Sequence, residues 1–233
     1  MPHDELRQRV LRANLALVEA GLVTLTWGNA SAADHRAGIV AIKPSGVPYD
    51  RLAADDIVIV SLPGGRTVEG AARPSSDTPT HLHLYETFPD IGGIVHTHST
   101  HATAFAQAGR EIPPLGTTHA DHFYGPVPVA RPLTEAEVAK DYELHTGRVI
   151  AECFRGRGID PLRIPAALVH GHGPFAWGQT VEHAVENAIA LEHCAQMAAL
   201  TWQLDPPACT IPQYLLDKHF LRKQGPNATY GPR

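Results

Sequence analysis

The chain has 233 residues, enough for one large domain on the usual scale of about 100–200 residues per domain, and it needs no disulfide staple. Hydrophobic residues at 43% and charged residues at 18% exclude wholesale disorder. Nineteen basic against 24 acidic residues leave a net charge of −5, which excludes nucleic-acid binding driven by electrostatics.

Along the chain, Leu6, Val10, Leu11, Leu15 and Val18 recur at helical spacing, and Gly21 follows as a C-cap. From Asn29 the period shortens. Two short strands are expected around a turn at 34–38, then a Ser-Gly loop, then a strand over 56–62 whose hairpin partner is 66–69. A short helix is predicted over 78–88, a buried strand over 93–97, and a helix capped by Ser99 that runs to Gln107. Residues 111–132, rich in Pro and Gly, read as loops with one short strand. Thr134 and Glu137 make a capping box that opens a helix to about Phe154. Short apolar runs at 166–169 and 175–177 flank the polar turn H-G-H-G-P. A long helix covers 180 to about 204, and a last one starts with Pro212 in its first turn and ends at Lys223. The remaining tail is polar and unpatterned. The order is that of an α/β domain of α+β flavour, a mostly antiparallel central sheet layered with helices, spanning 1–233 as one domain.

The amino-terminal segment is charged and lacks a signal peptide's apolar core, and no run of 18 uncharged apolar residues occurs. No membrane span and a cytoplasmic setting are therefore expected. Cys153, Cys194 and Cys209, odd in number and never C-x-x-C, read as reduced core thiols.

Histidine is over-used, 15 in all. His96-Thr97-His98 ends an apolar strand, where residues i and i+2 share a face, so two imidazoles can converge on one ion. Asp77 offers a carboxylate upstream, and His170-Gly171-His172 sits in a turn between strands, where a third imidazole can reach in. On residues alone, an H-x-H of this kind is equally a polar pair closing a strand. His81, His83, His101, His119, His122 and His145 read as surface or structural. Lys43, Ser45, Gly46, Ser75, Ser76 and Asn29 are the donors a phosphate needs, supplied without a Walker-type loop. Taken singly, each reads first as a turn or cap residue. No G-x-G-x-x-G and no nucleophile elbow competes with these readings.

W-G-N-A-S (27–31), K-P-S-G (43–46), S-S-D-T-P-T-H (75–81), V-H-T-H-S (95–99), H-A-D (119–121) and H-G-H-G-P-F (170–175) stand in the order seen in zinc-dependent class II sugar-phosphate aldolases and their epimerase relatives. The chain resembles that family over its whole length. Its C-terminal stretch from Tyr214 to Gly225, with Ala228-Thr229-Tyr230-Gly231, resembles the epimerase branch. The resemblance implies a class II aldolase-like fold and a Zn²⁺ ion (Mn²⁺ or Co²⁺ being the other candidates) held by His96, His98 and His172, with Asp77 as the carboxylate at the metal. It implies phosphate binding at Asn29, Ser45, Gly46, Ser75 and Ser76, with Lys43 beside them.

The acid/base pair carried over is Asp121 and Tyr230, with His219 and Arg222 nearby, all reaching a neighbouring subunit's site from the C-terminal part (about 205–233) and from residue 121. The implied assembly is a homotetramer with active sites at subunit interfaces. The implied substrate is a small phosphorylated ketose. The implied reaction inverts C4 of L-ribulose 5-phosphate to D-xylulose 5-phosphate by retro-aldol cleavage, aldehyde rotation and re-addition. The aldolases carry a Glu where this chain has Asp77, which favours the epimerase branch. The alternatives are an aldolase acting on a substrate such as L-fuculose 1-phosphate, a ketose-phosphate dehydratase, and an interaction module of the adducin-head kind.

Overall fold

The computed structural model describes residues 3–206, 208–224 and 228. Its strands are β1 (Asn29–Asp34), β2 (Ile39–Ile42), β3 (Val58–Ser61), β4 (Thr67–Glu69), β5 (Gly93–His96), β6 (Val129–Ala130), β7 (Ala166–Val169) and β8 (Pro174–Gly178). They make one sheet in the order β4-β3-β2-β1-β5-β8-β7-β6, antiparallel except at the β6–β7 edge. The helices are α1 (Asp4–Glu19), α2 (Thr78–Thr87), α3 (Thr100–Gln107), α4 (Thr117–Ala120), α5 (Glu135–Ala139), α6 (Tyr142–Arg157), α7 (Val181–Leu204) and α8 (Gln213–Gln224). The α/β architecture expected from the sequence, a mostly antiparallel sheet under layers of helix, is the one observed.

Strand side chains alternate between two cores, one on each face of the sheet. Ala30, Ala32, Val95 and Ala176 pack with α1, α3 and α7. Ile94, Phe175 and Trp177, one residue out of phase, pack with α2 and α6. Because both faces are covered, β2, β5, β7 and β8 are buried at every residue instead of at every second one, and even the polar Asn29 and Ser31 of β1 lie inside. The two cores differ in grain. Large rings fill the α2/α6 side, whereas alanines on the other side let the long α7 lie close to the sheet.

Several local expectations hold, and the others fail for identifiable reasons. Gly21 takes the left-handed conformation (φ 68°) after α1, with Leu22 N–H donating to Leu17 O at 2.9 Å. The capping box at Thr134 and Glu137 forms, but the helix it opens is short. Lys140 is extended and Asp141 is left-handed (φ 56°), so α6 starts afresh at Tyr142. The Pro/Gly-rich stretch also contains α4, which packs on α8. Pro212 is one residue short of the helical part of α8, where Leu215 N–H and Leu216 N–H donate to its carbonyl. Ser99 precedes α3 without a side-chain cap to its backbone. The carboxylate of Glu192 on α7 does that work, accepting from His101 N–H at 2.8 Å and Ala102 N–H at 2.9 Å. Cys194 is buried and Cys153 half-buried, but Cys209 is exposed, not a core thiol. It lies in the connection between α7 and α8, outside either core.

Candidate metal centre

Sheet order, more than sequence proximity, assembles the site. β5 lies between β1 and β8, so its last residue, His96, is flanked by Asn29 on one side and Phe175 on the other. Phe175 stacks flat on the His96 ring, with centroids 4.2 Å apart and planes at 15°. His98 follows two residues beyond the strand, and His172 enters from the turn that joins β7 to β8. The three rings stand almost equidistant, with centroid separations of 5.0, 4.8 and 5.1 Å. One ligand atom from each lies within 4.8 Å of the others. His170, the first histidine of the same turn, is exposed and packs toward Gly109.

The protonation state of the rings suits a cation. Burial, helped by the neighbouring rings, pushes His172 down to about 3 and lowers His98 as well. Both are neutral at pH 7 and present a lone pair. Pro174 O lies 2.9 Å from His96 Nδ1, and a carbonyl can only accept. That nitrogen therefore carries the proton and leaves Nε2 free. Three converging imidazoles with room at a fourth side fit a borderline divalent ion held at an open site.

Asp77 stands beside this trio, not among the converging donors. Its Oδ2 accepts from Asn29 Nδ2 at 2.7 Å. Burial alone would raise its carboxyl, but the His96 and His81 rings and the Asn29 amide outweigh that and hold it below the usual carboxylate range.

One cavity of about 520 Å³ joins these groups to the expected phosphate donors, for Asn29, Lys43, Ser45, Gly46, Ser75, Ser76, Asp77, His96, His98 and His172 all line it. Gly28, with φ 90°, brings the 26–29 loop against the strand end. A Cβ there would lie 2.7 Å from His96 O, so the tight approach requires glycine. Tyr49 Oη holds the same loop by donating to Gly28 O at 2.8 Å. Lys43 is 2% exposed, and its ammonium donates to Val47 O at 2.8 Å and lies 4.7 Å from the centroid of the Tyr49 ring. Burial lowers its pKa, and among the described residues it has no carboxylate partner. A cation kept in this state attracts an anion strongly.

Two cavity-lining residues, Tyr142 and Glu143, are not legible in the sequence. They arrive through the break at Asp141, for which the local pattern carries no signal. Three other expected residues assemble elsewhere. Asp121, just after α4, takes hydrogen bonds from His219 Nδ1 at 3.0 Å and Arg222 Nη2 at 3.3 Å, both on α8. None of the three lines the histidine cavity. Tyr230 lies outside the described residues. Among the described residues no helix is long and apolar enough to cross a membrane.

Comparison with known proteins gives the arrangement its setting. The profile of the class II aldolase and adducin N-terminal domain matches residues 8–199. The L-ribulose-5-phosphate 4-epimerase UlaF of Salmonella paratyphi C (strain RKS4594) is 53% identical over 230 residues, covering 99% of this chain and 100% of that protein. Among solved structures, an L-fuculose 1-phosphate aldolase superposes with a TM-score of 0.78 at 27% identity, over 92% of this chain and 94% of that one. The l-fuculose-1-phosphate aldolase of Thermus thermophilus superposes with a TM-score of 0.66 at 26% identity, over 86% of this chain and 98% of that one.

Proposed function

The chain belongs to the class II aldolase and adducin N-terminal domain family, and from that premise we propose that it is an epimerase that inverts C4 of L-ribulose 5-phosphate to give D-xylulose 5-phosphate. The observation that carries the reading is the single cavity in which three imidazoles meet a cluster of phosphate donors. The full-length likeness to an epimerase, and Asp77 in place of a Glu, favour inversion over release of two fragments.

The chemistry explains why a carbon skeleton must be cut. C4 is two bonds from the C2 carbonyl carbon, β to it, so enolisation cannot remove its proton. Loss of the C4 hydroxyl proton instead lets the C3–C4 bond break. Its electron pair passes to the C2 carbonyl, leaving a three-carbon enediolate and glycolaldehyde phosphate. Rotation of the aldehyde and re-addition to its other face, with a proton returned to the C4 oxygen, restores every atom with C4 inverted. A divalent cation at His96, His98 and His172, with Asp77 beside them (zinc by the resemblance, manganese or cobalt as other fits), supplies Lewis-acid relief of the charge that builds as the bond breaks, worth several kcal/mol.

The chain supplies the rest. Asn29, Ser45, Gly46, Ser75 and Ser76, backed by the buried ammonium of Lys43, hold the phosphate as a pivot, so that the aldehyde turns without leaving. Two faces of that aldehyde are served, so two proton-transfer groups are required; we assign Asp121 and Tyr230, brought by a neighbouring subunit of a cyclic homotetramer. General acid–base help of this kind is worth about 10²–10⁴-fold. In that arrangement Arg222 and His219 hold the Asp121 carboxylate in place.

Coupled turnover of L-ribulose 5-phosphate to D-xylulose 5-phosphate is expected from the purified protein, and is expected to stop on chelation and return with added zinc. Turnover that survives full removal of metal overturns the reading. The structural likeness to L-fuculose 1-phosphate aldolases supports a second reading, in which the fragments are released. Trapping free aldehyde in stoichiometric amounts during turnover selects it.

A further inference from the structure

Each imidazole at the centre has a second nitrogen, and what that nitrogen meets decides which atom faces inward. For His96 the partner is a backbone carbonyl. For His172 it is a phenol: Tyr142 Oη lies 3.3 Å from Nδ1, with ring centroids 6.0 Å apart. A hydroxyl can either donate or accept, so this contact leaves the tautomer open where the His96 contact closes it.

The way Tyr142 is held resolves its purpose. The left-handed Asp141 restarts the chain so that Tyr142 opens α6, and side chains in a helix lean toward its N-terminus, here the cavity end. The first turn is pinned to α2, where Thr80 Oγ1 donates to Glu143 O. One turn on, Gly147 lets the two helices touch: a Cβ there would meet His83 Cβ and Thr80 O, each at 3.1 Å. Since α2 follows directly from Asp77, the phenol is fixed in the same frame as the rest of the site.

We propose that Tyr142 is the positioning residue for His172: its oxygen accepts the Nδ1 proton, fixes the ring's tautomer, and turns Nε2 to the centre. The phenol's own proton then points away from His172, into a cavity built to hold a polar ligand. The assignment rests on the metal reading above, and its failure is separable from that of the reading.

Two measurements test it. In zinc-loaded protein, ¹⁵N spectra of the histidine side chains are expected to show His172 with Nδ1 protonated and Nε2 bound. Zinc on Nδ1 overturns the proposal, and zinc on neither nitrogen overturns both the proposal and the metal centre. In Tyr142→Phe, chelator competition is expected to give zinc binding weaker by about tenfold or more, in the range typical for lost partners of a ligating histidine. The ligand-field spectrum of the cobalt form is expected to shift, while the metal-free protein melts at its normal temperature. Wild-type affinity with an unchanged cobalt spectrum overturns the assignment of Tyr142. If the variant does not fold, the spectra of the unmodified protein still decide.

Discussion

Among the described residues, His81 Nε2 and His119 Nδ1 are buried ring nitrogens with no hydrogen-bond partner. The other nitrogen of each is spoken for: His81 Nδ1 sits 2.7 Å from Ser31 Oγ, and His119 Nε2 donates to Gly125 O at 2.7 Å. A second proton on either ring would meet no acceptor among the described residues. Burial accordingly drives His81 down to about 3, against the attraction of Asp77, and His119 down to about 4. The consequence for stability has a definite sign. In the unfolded chain these rings take up protons near pH 6.5, whereas the native rings stay neutral until pH 3–4. Their contribution is complete above about pH 6.5 and is lost as pH falls through that window. Each costs about 1.4 kcal/mol per pH unit, so two rings over two units remove about 5 kcal/mol, a sizeable share of an ordinary domain's stability. Denaturant unfolding of metal-free protein is expected to weaken steeply between pH 6.5 and 4.5, and less steeply in His119→Gln, which keeps a donor for Gly125 O. A flat curve over that range, or the same slope in the variant, would mean that these rings titrate normally.

Helix α7 shows at the scale of an element what single residues permit. Its first turn crosses the sheet where β5 and β8 pair glycine to glycine, Gly93 opposite Gly178. A Cβ on Gly93 would lie 2.2 Å from Val181 Cα and 2.4 Å from its nitrogen, and one on Gly178 2.7 Å from His183 Cβ. Backbone cannot yield as a side chain end can. Gly93→Ala is therefore expected to cost on the order of 3 kcal/mol or more, read by denaturant unfolding, and to disturb the strand that carries His96. Gly156→Ala is the opposing control. It is a helical position in α6 with nothing within 4 Å, so the same change should gain about 0.5–1 kcal/mol. Equal effects in both would remove close packing as the cause.

Legibility from the sequence follows the range of the forces. Gly93 reads only as the start of an apolar strand, because α7 lies some ninety residues away. The capping box at Thr134 is local and readable; the restart at Asp141 is decided by packing of α6 on α2 and is not. The loops expected to bind phosphate and the two H-x-H motifs are short and dense in polar residues, so they stand out as candidates in one dimension. The residues alone leave a turn or strand-end role open, and it is their order along the chain that selects the reading. Which strand lies beside which, and hence that Asn29 neighbours His96, depends on sheet order. Glu192 clamping the start of α3 from α7 is invisible in the sequence for the same reason.

At the scale of the whole molecule, the expected site divides into two halves that one chain does not bring together. His96, His98, His172 and the residues expected to bind phosphate line one cavity, and Asp121, with His219 and Arg222, makes a separate cluster that lines no wall of it. In the proposed ring, each working site takes its metal half from one subunit and its proton-transfer half from the next. Head-to-tail contacts of that kind close into rings. His98→Ala destroys the first half and leaves the second intact; Asp121→Asn does the reverse. Neither alone turns over substrate. Co-expressed and randomly mixed, they are expected to rebuild intact sites at about a quarter of positions, since each half is sound with even odds in a ring of mixed subunits. Recovered activity, measured by the coupled epimerase assay on mixed oligomers isolated by two affinity tags, should therefore approach a quarter of the normal rate per subunit. Mixed oligomers with no activity would put both halves of the site in one chain. That outcome would require the Asp121 cluster to move to its own cavity, and the arginine and histidine that hold it to α8 would have to let go.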